Sequence, residues 1–201
     1  MSAATWGDLA SLIRAISAGL LVALSVKLMD DWLDRGPDTS VGRVSTQARW
    51  GASWLPYALV LLAVAAALSH RVAADLFLGA YSSGMAGELG RRQPSGLCGL
   101  QGSLLVLVAG AVLVGWRAIT AGLLVASGWQ VADHLLDGDR APGPPWEHPM
   151  RVLGNGGSTA AALWAFGAAS FLDPPTGLAG ILGGLAVEIP ELWQRQRGRG
   201  G

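Results

Sequence analysis

Long stretches of almost uncharged, apolar sequence follow one another along this chain, separated by short runs that hold much of its arginine, aspartate and proline. About 20 mostly apolar residues in a helix cross the hydrocarbon core of a bilayer. Seven stretches are candidates: residues 9–33, 52–69, 72–89, 97–116, 118–136, 152–172 and 176–192. The third is the least apolar, because Asp75 and Glu88 fall in it, and the seventh is glycine-rich with Pro190 near its end. The expected fold is all-α: a polytopic membrane helix bundle of about seven transmembrane helices. Residues 1–194 are expected to form a single bundle domain and residues 195–201 a basic, disordered tail. Just over half of the residues are hydrophobic and 29 are glycine, a balance that suits helices packed closely in lipid.

The arginines test this division. With the first segment running outside to inside, one side of the membrane receives Arg35, Arg43, Arg49, Arg91, Arg92, Arg140, Arg151, Arg195, Arg197 and Arg199, and the other only Arg71 and Arg117. That asymmetry matches the positive-inside rule. It predicts a multi-pass protein of the cell membrane with a cytoplasmic carboxyl terminus. Trp50, Trp54, Trp116, Trp146 and Trp193 lie at or near expected helix ends, as interfacial aromatics do. The amino terminus lacks the layout of a cleaved signal, so the first segment is expected to stay as a membrane helix. The formal charge is zero, which leaves no nucleic-acid footprint. Cys98 is the single cysteine, and His70, His134 and His148 have no zinc-type spacing.

Against this apolar background the acids are concentrated. Asp30, Asp31, Asp34, Asp38, Asp133, Asp137 and Asp139 are half of the 14 acidic residues. They gather at the carboxyl ends of the first and fifth segments, both on the expected cytoplasmic side. Residues 27–34 (KLMDDWLD) align without gaps on residues 130–137 (QVADHLLD), which suggests internal duplication. Asp30 and Asp34 share a helix face, as do Asp133 and Asp137. Asp31 flanks the first pair, and His134 takes the corresponding place in the second block. A carboxylate at a helix carboxyl end is disfavoured by roughly 0.3–1 kcal/mol, and like charges four apart add a smaller penalty. A chain that accepts both penalties twice points to bound cations. Magnesium fits, because it takes oxygen ligands, keeps waters and bridges carboxylates to phosphates.

The blander alternative is solvation at the membrane boundary. It competes evenly with ligation for Asp38 and Asp139, which stand in turn-like sequence. For Lys27, one turn before Asp30, phosphate contact competes with snorkelling to the interface. Boundary positions account for Asp75, Glu88, Glu188 and Glu191, although the last two could border a pocket. Tyr81, Ser82 and Ser83 are candidates for hydrogen bonds between helices. Asn155 and its neighbouring glycines read as a loop or a polar kink.

At the acidic blocks the chain resembles the UbiA-type membrane prenyltransferases. The first signature of that family, N-D-x-x-D-x-x-x-D, is met by Asp30-Asp31-Trp32-Leu33-Asp34-Arg35-Gly36-Pro37-Asp38, with Asp30 in place of the asparagine. The second, D-x-x-x-D, is met by Asp133 to Asp137, followed by Gly138-Asp139-Arg140. The resemblance implies a magnesium-dependent enzyme that moves a prenyl group from a prenyl diphosphate to a lipophilic, often aromatic, acceptor at the cytoplasmic face. Its metal ligands would be Asp30, Asp31, Asp34, Asp133 and Asp137, with Asp34 and Asp137 central to catalysis. Lys27, Asp38, His134 and Arg140 would contact the substrate. Members of the family usually have nine membrane helices, so seven would make this a shortened form, with room for a homo-oligomer that completes the pocket. Two other readings stand beside it. A CDP-alcohol phosphatidyltransferase-like enzyme is echoed only by Asp137-Gly138-Asp139-Arg140-Ala141, and a non-enzymatic divalent-cation carrier would need acids deeper in the membrane.

Overall fold

The computed structural model describes residues 3–33, 54–87, 96–137 and 149–197, with side chains for residues 8–30, 55–84, 96–135 and 153–189. The described residues form seven helices and no strand: α1 (Ala3–Leu33), α2 (Trp54–Leu68), α3 (His70–Gly87), α4 (Gly99–Leu113), α5 (Trp116–Asp137), α6 (Pro149–Leu172) and α7 (Pro174–Arg197). Each overlaps one of the seven expected segments. Residues 195–197, expected to open the tail, belong to α7, and residues 198–201 lie outside the described residues.

The breaks between helices follow local chemistry. Ser69 ends α2 by donating its N–H to the Ala65 carbonyl and opens α3 by accepting the Ala73 N–H, a natural use of serine at a helix start. Gly115, with φ of 95°, adopts a backbone shape that side chains disfavour, and there α4 gives way to α5. Pro174 and Pro175 supply no N–H for a continuing helix, so α6 stops and α7 starts around Asp173. Its carbonyl accepts the Gly177 N–H at 2.8 Å. Gly154 (φ 67°, ψ 173°) kinks α6 near its start, so the segment around Asn155 is a kinked helix.

Burial is inverted relative to a water-soluble bundle. The five largest fully buried side chains are Thr176, Asp75, Ser25, Ser82 and Ser158, and most of the buried apolar residues are alanines. Large apolar side chains face outward, with Val112 81% and Phe171 87% exposed. On α4 the buried positions are Gly99, Gly102, Ser103 and Gly110, while Leu100, Leu104, Leu105, Val108 and Leu113 are exposed. Small residues inside and bulky apolar ones outside are what lipid solvent favours. Two stretches are long and apolar enough to cross a membrane, Asp8–Asp30 and Leu55–Gly84; Gly99–Leu113 and Pro174–Ile189 are apolar but shorter.

The chain divides into two compact units, Met1–Ala73 with Leu182–Gly201, and Ala74–Ile181. In the first, α1 packs along α2, and the Ser25 hydroxyl donates to the Ala58 carbonyl at 2.8 Å. The carboxyl half of α7 meets α1 where Gly183 faces the backbone of Gly19 and Leu20 so closely that a Cβ would come within 2.6 Å of the Gly19 carbonyl oxygen. Further along both helices Lys27 meets Glu188. The two contacts occur in the same order, so α1 and this half of α7 run parallel.

In the second unit α5 packs along α6, where Gly128 admits Phe166 and Trp129 packs on the same ring at 5.2 Å. Helices α3 and α5 also run parallel. Gly122 lies against the backbone of Asp75, Gly79 against that of Gly122 and Leu123, and Ser83 against Gln130. The Trp129 indole N–H donates to the Gly180 carbonyl at 3.2 Å, tying α5 to α7.

Candidate functional site

Each acidic block begins on the last turns of a helix, and each unit contains one. In the first unit, Asp30 stands exposed near the end of α1. Asp31 is also on α1, its side chain outside the described residues, and Asp34 and Asp38 lie outside them altogether. One turn before Asp30, the Lys27 ammonium lies 4.0 Å from the Glu188 carboxylate on α7, the two side chains being 25% and 16% exposed. The sequence reading placed Glu188 at a solvated boundary. The structure instead sets it against the face of α1 that carries Lys27, because the Gly19–Gly183 approach brings the two helices to near backbone contact.

In the second unit, Asp133 and His134 are half-buried on the last turns of α5. Asp137 ends α5 with its side chain outside the described residues, and Asp139 and Arg140 lie beyond them. One turn before Asp133, the Gln130 Oε1 accepts a 2.8 Å hydrogen bond from the Ser83 hydroxyl on α3. Gln130, Asp133, His134 and Asp137 follow at three, four and seven residues, so they share a face, and Ser83 fixes that face towards α3.

The two aligned blocks therefore share more than carboxylates. Lys27 and Gln130 occupy the same position in the eight-residue alignment, and each makes a polar contact to a neighbouring helix. One is an ion pair, the other a neutral hydrogen bond. From the sequence Glu188 was weighed as bordering a pocket without a partner, and Ser83 only as a hydrogen-bonding residue between helices. The usable signal was their type: a polar side chain in a largely apolar segment needs a partner on another helix.

The candidate metal ligands are all carboxylates, and that chemistry suits magnesium. Among the described residues, no group of three or more histidine, cysteine, aspartate or glutamate side chains comes together. Asp30 and Asp133 are the candidate ligands with described side chains, and they belong to different units.

A second polar feature lies inside the second unit. Asp75 on α3 is fully buried, and the fully buried Thr176 hydroxyl donates to its Oδ2 at 2.8 Å. The sequence reading explained Asp75 as a boundary residue, and its complete burial corrects this. Gly122 is the local reason: with no side chain there, α5 lies against the Asp75 backbone. Asp173, also buried, stands just before α7, one turn from Thr176. Nearby, the Ser82 and Ser103 hydroxyls are 2.8 Å apart and fully or nearly buried, which bears out the expected serine bridge between helices. Tyr81 instead stacks on Phe77 at 6.3 Å.

Compared with family models, with curated proteins and with solved structures, the chain matches none.

Proposed function

We propose that this chain is a magnesium-dependent intramembrane prenyltransferase that moves a prenyl group from a prenyl diphosphate to a lipophilic acceptor, aromatic ones included. The observation that carries the reading is the repeated build of the two acidic helix ends: carboxylates on the last turns of α1 and α5, each preceded one turn earlier by a side chain tied to another helix. The bundle would be multi-pass, with seven spans, in the cell membrane, and with the acidic ends and the carboxyl terminus in the cytoplasm. Small residues buried inside and large apolar residues outside support a lipid surrounding. The parallel run of α1 and α7 is what an odd number of spans requires of its first and last helices. A homo-oligomer could complete the chamber for the isoprenoid.

In this reading Asp30, Asp31, Asp34, Asp133 and Asp137 would be the magnesium ligands. Bound magnesium would stabilise charge on the departing diphosphate. Lys27, Asp38, His134 and Arg140 orient the diphosphate. The carbon–oxygen bond to the diphosphate breaks, the prenyl carbon bonds to the acceptor, and the acceptor loses a proton. The apolar helices keep water from the allylic cation.

Purified protein in lipid nanodiscs, given labelled prenyl diphosphates of several lengths, magnesium and candidate acceptors, tests this. Turnover that Asp34→Ala and Asp137→Ala each abolish is the expected result. No binding or turnover at any chain length, with both variants behaving like the parent, refutes it.

One observation favours a second reading, a divalent-cation carrier. Asp75 is a buried carboxylate within the apolar stretch Leu55–Gly84, and ion paths use such groups. Cation flux into proteoliposomes that Asp75→Asn abolishes would favour the carrier over the enzyme.

A further inference from the structure

We propose that Glu188 is a positioning residue that holds Lys27 beside the acidic end of α1, and that an incoming diphosphate takes Lys27 from it. The proposal rests on the reading of the acidic ends as a metal–diphosphate site and adds to it a fourth helix element, α7, and an exchange of partners.

Three observations carry it. The first is register. Lys27 precedes Asp30 and Asp31 by three and four residues, so these positions fall on one face of α1. A partner that meets Lys27 therefore meets α1 on its acidic side. The second is the way α7 is held. The Gly19–Gly183 approach admits no side chain between the helices, and from there the parallel course carries Glu188 to Lys27. Residue 188 is thus placed by backbone packing rather than by the ion pair itself.

The third is the quality of the pair. At 4.0 Å, with both side chains partly exposed, it lies well outside the ~2.7–2.9 Å of a charge-assisted hydrogen bond. A long, partly solvated pair is weakly held. It neutralises Lys27 in an apolar setting. A magnesium diphosphate offers several anionic oxygens where Glu188 offers one carboxylate, and the Lys27 ammonium sits on a flexible four-carbon stem that can turn from one to the other. The matching contact in the other block, Ser83 to Gln130, is neutral and has no charge to exchange. The two aligned positions would then divide the work, Gln130 bracing its helix and Lys27 acting on the ligand.

Titration calorimetry with magnesium and inorganic pyrophosphate, on the full chain in nanodiscs, tests the exchange. Glu188 competes with pyrophosphate for Lys27, so Glu188→Gln should bind pyrophosphate about three- to tenfold more tightly than the parent. Glu188→Asp keeps the charge and should stay within about twofold of the parent. Lys27→Met should bind about tenfold more weakly. The double variant should match Lys27→Met alone, because Glu188 acts through Lys27. A purely structural ion pair would change thermal stability and leave these affinities where they were. Unchanged affinity in Glu188→Gln, with Lys27→Met still weakened, overturns the exchange and leaves the diphosphate site standing. A parent protein that binds no magnesium pyrophosphate overturns both.

Discussion

Replacing Thr176 by valine removes one hydroxyl from the interior and almost nothing else. Both side chains are β-branched and similar in volume, so helix preference and packing change little. What disappears is the 2.8 Å hydrogen bond to Asp75 Oδ2, between two fully buried side chains. A side-chain hydrogen bond contributes about 0.5–1.5 kcal/mol in water-soluble proteins. Between membrane helices the measured average is nearer ~0.6 kcal/mol, with a maximum of ~1.7, because the separated helices find other partners in lipid. Complete burial and the short distance place Thr176→Val towards the upper end of the membrane range, at about 1–1.7 kcal/mol. For a chain of this length that lowers Tm by roughly 2–7 °C. Equilibrium unfolding of the membrane-reconstituted protein with a denaturing detergent measures it. Asp75→Asn and the double variant complete a cycle whose coupling should account for most of the loss. Ser11→Ala is the control: its 2.8 Å bond to the Asp8 carbonyl is at an exposed position, and its loss should go unnoticed. Thr176→Val within about 0.3 kcal/mol of the parent would show that the buried pair does not hold α3 to α7.

Gly122→Ala should destabilise by about 1–3 kcal/mol, since the new methyl would overlap the Asp75 backbone, whereas Gly84→Ala, which meets open space, should be neutral or slightly stabilising in the same unfolding assay. Ser83→Ala should leave the fold intact but loosen the acidic face of α5, seen as about two- to fivefold weaker magnesium-dependent ligand binding. Removing magnesium with a chelator should abolish prenyl transfer and magnesium should restore it; activity that persists in chelator would contradict the metal reading. Asp30→Asn and Asp133→Asn should each raise the magnesium concentration needed for half-maximal turnover.

Helix placement was readable from the chain because hydropathy and breakers act locally. Pro174-Pro175 fall between the sixth and seventh expected segments, and each apolar run coincides with a helix. The serine bridges were readable as types, since a hydroxyl in an apolar segment calls for a partner. The partners themselves were not. Glu188 and Lys27 are separated by 160 intervening residues, and Thr176 and Asp75 by 100. Nothing in either local sequence distinguishes a carboxylate that will be buried from one that will meet solvent. Asp75 was misread for that reason: its surroundings are set by Gly122 and Thr176, which reach it through the packing of other helices.

Periodic spacing, residue chemistry and the rules for helix ends, all properties of neighbours along the chain, were enough to determine the all-helical class and the shared face of Gln130, Asp133 and Asp137 on α5. Which helix stands beside that face was decided by tertiary structure alone. Glycine-mediated approaches such as Gly19–Gly183 and Gly79–Gly122 set the direction and register of helices distant in sequence. A glycine carries no mark of which backbone it will meet.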